Sequence, residues 1–177
     1  MRKIAVFDFD GTLYKGDSLI DFCLFVYKEK PWKIFYLTIQ IIFTVLHFFK
    51  IISTTTYKSK FIGFINGIEP HELKLLLHEF WHKRMNRKGV SFYIKKMNEL
   101  RSTGVQPIII SASPELFLAP VSKEFNVSLI GTILEINNSL YSIKGENCRG
   151  LEKIKRLNSF FGGEEFHLIY AVSDNTD

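Results

Sequence analysis

Lys3-Ile4-Ala5-Val6-Phe7-Asp8-Phe9-Asp10-Gly11-Thr12 opens the chain with an apolar run that breaks on two carboxylates and a glycine. Such a run reads as a buried strand over residues 3–9 that empties into a loop. Side chains alternate along an extended chain, so Asp8 and Asp10 face the same way and converge on one point. There, one carboxylate can attack a phosphorus atom while the second protonates the leaving oxygen and later takes a proton from water. Gly11 lets the chain turn sharply away. An Asp-Gly pair alone is an ordinary strand-end turn; the hexapeptide from Phe7 to Thr12 as a whole points to chemistry.

Two further apolar runs end in the same manner. Gln106 to Ile110 stops at Ser111, and Phe166 to Val172 stops at Ser173-Asp174. Helical patterns over residues 92–102, 115–125 and 151–161 separate these strands. Strands alternating with helices predict an α/β fold with a parallel sheet, whose ligands sit outside the carboxyl ends of the strands. Shorter strands are expected at 127–130, 132–136 and 140–143, the last two forming a hairpin around Asn137-Asn138 on the sheet's flank. Residues 14–89 are far too long for a connection. They read as an inserted, helical domain, with Pro31 and Pro70 placed to start helices. The core then comprises residues 1–13 and 90–177.

The composition bounds the partners. The chain has 177 residues, 46% of them hydrophobic, enough for one core and a modest insertion. A formal charge of +5 suits an anionic substrate or an acidic surface. The basic residues are scattered, with no nucleic-acid-binding motif beside them, so no nucleic-acid partner is expected. Cys23 and Cys148 form no CxxC pair and read as reduced thiols in a cytoplasmic protein. Asp8 and Asp10 interrupt the apolar run that a signal peptide would need.

Asp8-Phe9-Asp10-Gly11-Thr12-Leu13 resembles the first motif of the haloacid dehalogenase superfamily. The resemblance implies a Rossmann-like, three-layer core with an all-helical cap of the C1 type. It implies that Asp8 is the nucleophile of an aspartyl-phosphate intermediate and Asp10 the general acid and base. Ile110-Ser111-Ala112-Ser113-Pro114 looks like the second motif, with Ser111 on the transferring phosphoryl group and Gly11 and Ala112 beside it. Gly150-Leu151-Glu152-Lys153 is similar to the setting of the third-motif lysine in the phosphoserine-phosphatase-like branch, subfamily IB, so Lys153 is preferred to Lys155. Ser173 to Asp177 fits the acidic fourth motif. The resemblance implies a Mg2+ ion held by Asp8, the main-chain carbonyl of Asp10 and Asp174; Asp177 is one position short of the usual second acid.

The expected activity is therefore hydrolysis of a phosphomonoester, on a small molecule or a lipid head group. Phosphoserine itself fits less well: Gly11 stands where that branch commonly has Ser, and the nearest acid to the amine-binding position is Asp17. Some members of the branch act on phosphatidylglycerophosphate, and the apolar cap is closer to theirs. The chain stops where a typical relative continues with another helix and strand, which keeps a non-catalytic binding module as an alternative.

Two segments invite other readings. His78-Glu79-Phe80-Trp81-His82 satisfies the zinc-protease pattern His-Glu-x-x-His, but without an evident third ligand it reads as surface histidines beside core Leu75, Leu76, Phe80 and Trp81. Ile34 to Phe49 carries no charged residue, and Ile51 and Ile52 extend the run. Lys33, Gln40, Thr44 and His47 draw one narrow polar stripe on it. A buried cap helix is the first reading, peripheral membrane contact through residues 34–52 the second, and a membrane span the third.

Overall fold

The computed structural model describes residues 1–174. Four parallel strands, β1 (Arg2–Phe7), β2 (Gln106–Pro114), β3 (Ser128–Thr132) and β6 (Phe166–Val172), form a sheet in the order β3-β2-β1-β6. β1 therefore pairs with β2 on one side and β6 on the other, which places the ends of all three chemistry-bearing strands side by side. Helices α5 (Ser91–Ser102), α6 (Glu115–Glu124) and α7 (Leu151–Phe160) connect the strands. Residues 1–7 and 91–174 thus build the Rossmann-like α/β arrangement that the alternation predicted.

β2 carries an irregularity that matters for the site. Its pairing with β3 joins Ile110 to Ile130 and then Pro114 to Thr132, so Ser111 to Ser113 bulge out of the ladder. A bulge re-aims side chains that would otherwise alternate across the sheet.

Between β1 and α5 every element is helical. α1 (Ser18–Glu29) is capped by Asp17, whose carboxylate accepts the main-chain N–H groups of Leu19 and Ile20. Pro31 opens a short 3-10 turn (Pro31–Phe35) that leads into α2 (Tyr36–Phe48). α3 (Thr54–Phe61) begins at the cap Ser53, a second 3-10 turn covers Ile62–Ile65, and α4 (Pro70–Lys88) starts at Pro70. The two ends of this stretch are tied to each other. Lys15 donates its N–H to Lys88 O at 2.8 Å, Val90 donates to Leu13 O at 2.9 Å, and Tyr14 bridges to Gly89.

One apolar cluster runs from β1 into these helices. Phe9 stacks on Tyr14, Trp81 meets both rings edge-on, and the Trp81 indole donates to Phe117 O on α6 at 2.7 Å. Leu75, expected in the core, is instead 68% exposed.

The hairpin β4 (Leu134–Asn137) and β5 (Leu140–Ile143) forms as expected but as a separate two-stranded sheet. It reaches over to the helices between β1 and α5: Gly67 donates to Ser139 O, the Tyr141 N–H donates to Asn66 Oδ1, and the Tyr141 hydroxyl donates to Ile68 O.

α2 reverses the first expectation for this segment. Its polar stripe, not its apolar face, turns toward the protein. Gln40 is buried, donates to Phe61 O at 2.9 Å and accepts from the Tyr27 hydroxyl at 2.8 Å. Lys33 donates to Asn66 O. His47 stacks on Tyr57, with ring centroids 4.8 Å apart. An amphipathic pattern reads the same whichever side faces inward; here the hydrogen-bonding partners on α1 and α3 drew the polar side in.

Candidate active site

The site lies at the carboxyl ends of β1, β2 and β6. Asp8 follows β1 directly, and its N–H donates to Val172 O at 2.9 Å, so the sheet ladder fixes its backbone. Its Oδ1 accepts the Phe9 N–H at 2.7 Å. Its Oδ2 accepts Lys153 Nζ at 2.8 Å and the Ser173 hydroxyl at 3.0 Å. The lysine stands in the first turn of α7, next to Gly150, which takes φ +57° to turn the chain into the helix. Lys155, its rival in the sequence, is 76% exposed and pairs with Glu152.

Asp10 Oδ1 accepts the Ser18 N–H at 2.7 Å, and Oδ2 accepts the Ser113 hydroxyl at 2.6 Å. Burial pushes its pKa above the ordinary carboxylate value. Hydrogen bonds from Ser113 and Ser18 pull it back only in part, and the Asp17 charge raises it further. Burial thus favours the protonated form of this carboxyl group.

Ser111 is buried, and its Oγ accepts the Ser113 N–H at 3.0 Å, which aims the hydroxyl along the bulge. The Ala112 carbonyl accepts Lys58 Nζ at 3.1 Å and the Thr132 hydroxyl at 2.7 Å. Gly11 takes φ +74° and gives its N–H to Gly16 O at 3.1 Å. A Cβ at Gly11 would collide with the Asp174 carboxylate, so the absence of a side chain lets the fourth-motif acid close on the first-motif loop. Asp177 lies outside the described residues.

These residues share one cavity of about 350 Å³, lined by Asp8, Asp10, Gly11, Ser111, Ala112, Lys153 and Asp174, with Lys58, Asp17 and Arg149 at its wall. Every described site residue expected from the sequence is present. Three contributors were not foreseen. Ser113 lies inside the second motif, and its bond to Asp10 forms where β2 bulges. Lys58 comes from α3, and nothing local marks it. Burial lowers its ammonium pKa, against the raising influence of Asp17 and Asp10. Arg149 stands just before the Gly150 turn, visible only as a basic residue beside the third motif.

Whether these groups fit Mg2+ turns on their donor chemistry. Among the described residues, no three His, Cys, Asp or Glu side chains gather into a ready-made metal site. Asp8, Asp10 and Asp174 line the cavity together, so their carboxylates and the Asp10 main-chain carbonyl are the oxygens on offer. That is an all-oxygen set, which suits a hard cation that keeps several waters. The residues fit the ion.

A larger cavity, about 680 Å³, lies between α4 and α6 and contains none of the expected site residues. His78 and His82 line it, but Glu79 is paired with Lys83. The zinc-protease reading has no third ligand among the described residues.

A model of the haloacid dehalogenase-like hydrolase family matches residues 5–177. The chain belongs to this family. The haloacid dehalogenase fold is also what the solved structures share with it. A protein of unknown function from Bordetella pertussis Tohama I superposes with a TM-score of 0.80 at 18% identity, over 97% of this chain and 80% of that one. A phosphoserine phosphohydrolase-like protein from Francisella tularensis subsp. tularensis SCHU S4 gives 0.59 at 21% identity, over 96% and 77%. Protein CicA of Caulobacter vibrioides is 38% identical over 80 residues, 43% of this chain. That match spans only 36% of the curated relative's length.

Proposed function

We propose that this haloacid dehalogenase-like hydrolase is a phosphatase that cleaves phosphomonoesters through an aspartyl-phosphate on Asp8. The observation that carries the reading is the Asp8 carboxylate, held between the backbone of β1 and the Lys153 ammonium, with Asp10, whose pKa burial raises, in the same cavity. The Asp8 carboxylate attacks phosphorus in line. The phosphorus–oxygen bond to the leaving alcohol breaks as Asp10 delivers its proton to that oxygen. The Asp10 carboxylate then takes a proton from water as the water attacks the acyl-phosphate, which frees inorganic phosphate and restores Asp8. Lys153 and the Ser111 hydroxyl offset the charge on the phosphoryl oxygens. Mg2+, held by Asp8, Asp174 and the Asp10 carbonyl, would supply charge neutralisation between nucleophile and phosphoryl group.

In this reading residues 14–89 act as the cap over a core of residues 1–13 and 90–177, and the chain sits in the phosphoserine-phosphatase-like branch. The tied ends at Lys15–Lys88 and Leu13–Val90 support that division. Lys58 brings a cap cation to the cavity, suited to an anionic group on the substrate. A phosphorylated small molecule in the cytoplasm is the first substrate class. A phosphorylated lipid head group is the second, favoured by the exposed face of α2.

The test is hydrolysis of para-nitrophenyl phosphate with and without Mg2+, followed by phosphoserine, sugar phosphates and phosphatidylglycerophosphate. Turnover that requires the ion and disappears in Asp8→Asn supports the reading. Turnover that survives Asp8→Asn refutes it.

A further inference from the structure

We infer that α2, with the 3-10 turn before it, is an interfacial helix that lies flat on the anionic surface of a phospholipid bilayer. This goes beyond the phosphatase reading and does not depend on it, because vesicle binding is measured without turnover.

The helix is amphipathic with its polarity inverted relative to an ordinary surface helix. Lys33, Gln40 and His47 face inward, each with a partner inside the protein. Outward stand Trp32, Phe35, Ile41, Ile42, Phe48 and Phe49, between 52% and 79% exposed. A contiguous apolar face of this kind is rare on a protein that stays in water, and marks a surface that meets something apolar.

Charge names the occupant. From residue 30 to residue 68 the chain has no Asp or Glu and five lysines. Lys50 and Lys60 are exposed beyond and beside the helix, with Lys60 Nζ 5.9 Å from the Phe43 ring centroid. Aromatic and aliphatic groups bounded by lysines, without acids, match the acyl boundary and phosphate layer of an anionic leaflet.

Pro31–Phe48 is long and apolar enough by length and composition to cross a bilayer. A span would have to strip Lys33 and Gln40 from their buried partners and place them in hydrocarbon, so the flat arrangement is the one compatible with the fold. α3 packs along α2 and carries Lys58 to the catalytic cavity. A lipid-bound α2 therefore holds that cavity close to the membrane surface.

Flotation of the 177-residue chain with vesicles tests this, using phosphatidylcholine alone and phosphatidylcholine with phosphatidylglycerol. The expected result is binding to the anionic vesicles, little to the neutral ones, and release by high salt and by alkaline carbonate. Ile41→Asp and Phe48→Asp, each on the outer face, should each weaken binding about tenfold or more while leaving the thermal melt and para-nitrophenyl phosphate turnover unchanged. Failure to float with any vesicle, binding that ignores both substitutions, or resistance to carbonate overturns the inference. So does a dimer that Ile41→Asp dissolves in a protein that binds no vesicles, which would assign the face to a second copy.

Discussion

The Lys153 ammonium lies 2.8 Å from Asp8 Oδ2 although 145 positions separate the two residues, and both side chains are only 13% exposed. A charge-assisted bond in so sheltered a place holds the carboxylate in position and lowers its repulsion of an incoming phosphate. Lys153→Ala should reduce kcat by about 10²–10³-fold, whereas Lys155→Ala should leave it near the parent value. Steady-state kinetics on both variants decide the third-motif assignment.

Ser113 tunes Asp10. Its hydroxyl bond favours the charged carboxylate and so holds the pKa below what burial alone would impose. Ser113→Ala should raise the Asp10 pKa further and carry the basic limb of the kcat/KM profile to higher pH. A limb that stays in place or moves down contradicts this.

The same shift has a consequence for stability. The folded Asp10 pKa lies above the ordinary value of 3.8. Its favourable contribution is complete below that value and lost as pH rises through the folded pKa. At neutral pH the buried charge is a cost, so Asp10→Asn should melt higher than the parent at pH 7 and lose that advantage in acid. Paired melts at pH 7 and pH 4 measure it.

Gly11→Ala should both strain and crowd the first-motif loop. Its φ of +74° costs an L residue about 1–2 kcal/mol, and the new methyl would displace the Asp174 carboxylate. The expected outcome is a modest loss of stability with a larger loss of Mg2+ affinity, read by denaturant titration and by Mg2+ dependence of turnover.

Gln40→Leu should destabilise the chain by about 1–3 kcal/mol, because the Phe61 carbonyl and Tyr27 hydroxyl lose their buried partner. Urea unfolding monitored by circular dichroism gives the value. A neutral result would mean that the polar stripe is not held inward in solution.

What the sequence made legible was what repeats or sits beside a strand end. The runs ending at Asp8, Ser111 and Ser173 mark β1, β2 and β6 because buried parallel strands must be apolar, and only their ends can carry polar groups. β1 stops at Phe7, two residues early, because Phe9 already packs on Tyr14 and Trp81 outside the sheet. Lys58 and the Ser113–Asp10 bond were illegible because they depend on how α3 docks and where β2 bulges. The hairpin's destination was hidden too: its pattern specifies two strands, but its docking rests on Tyr141, buried and bonded to Asn66 and Ile68, and on Ser139, bonded to Gly67 and Glu69.

The helical stretch between β1 and α5 leaves and rejoins the chain at a single seam. Its two ends run side by side, joined by Lys15–Lys88 and Leu13–Val90, about one strand spacing apart. A foreign segment with similarly spaced ends could be spliced there without lengthening the path from β1 to α5. Such a graft would have to replace the Trp81 and Phe22 packing on the core and the bonds that Ser18 and Gly16 make to the Asp10–Gly11 loop.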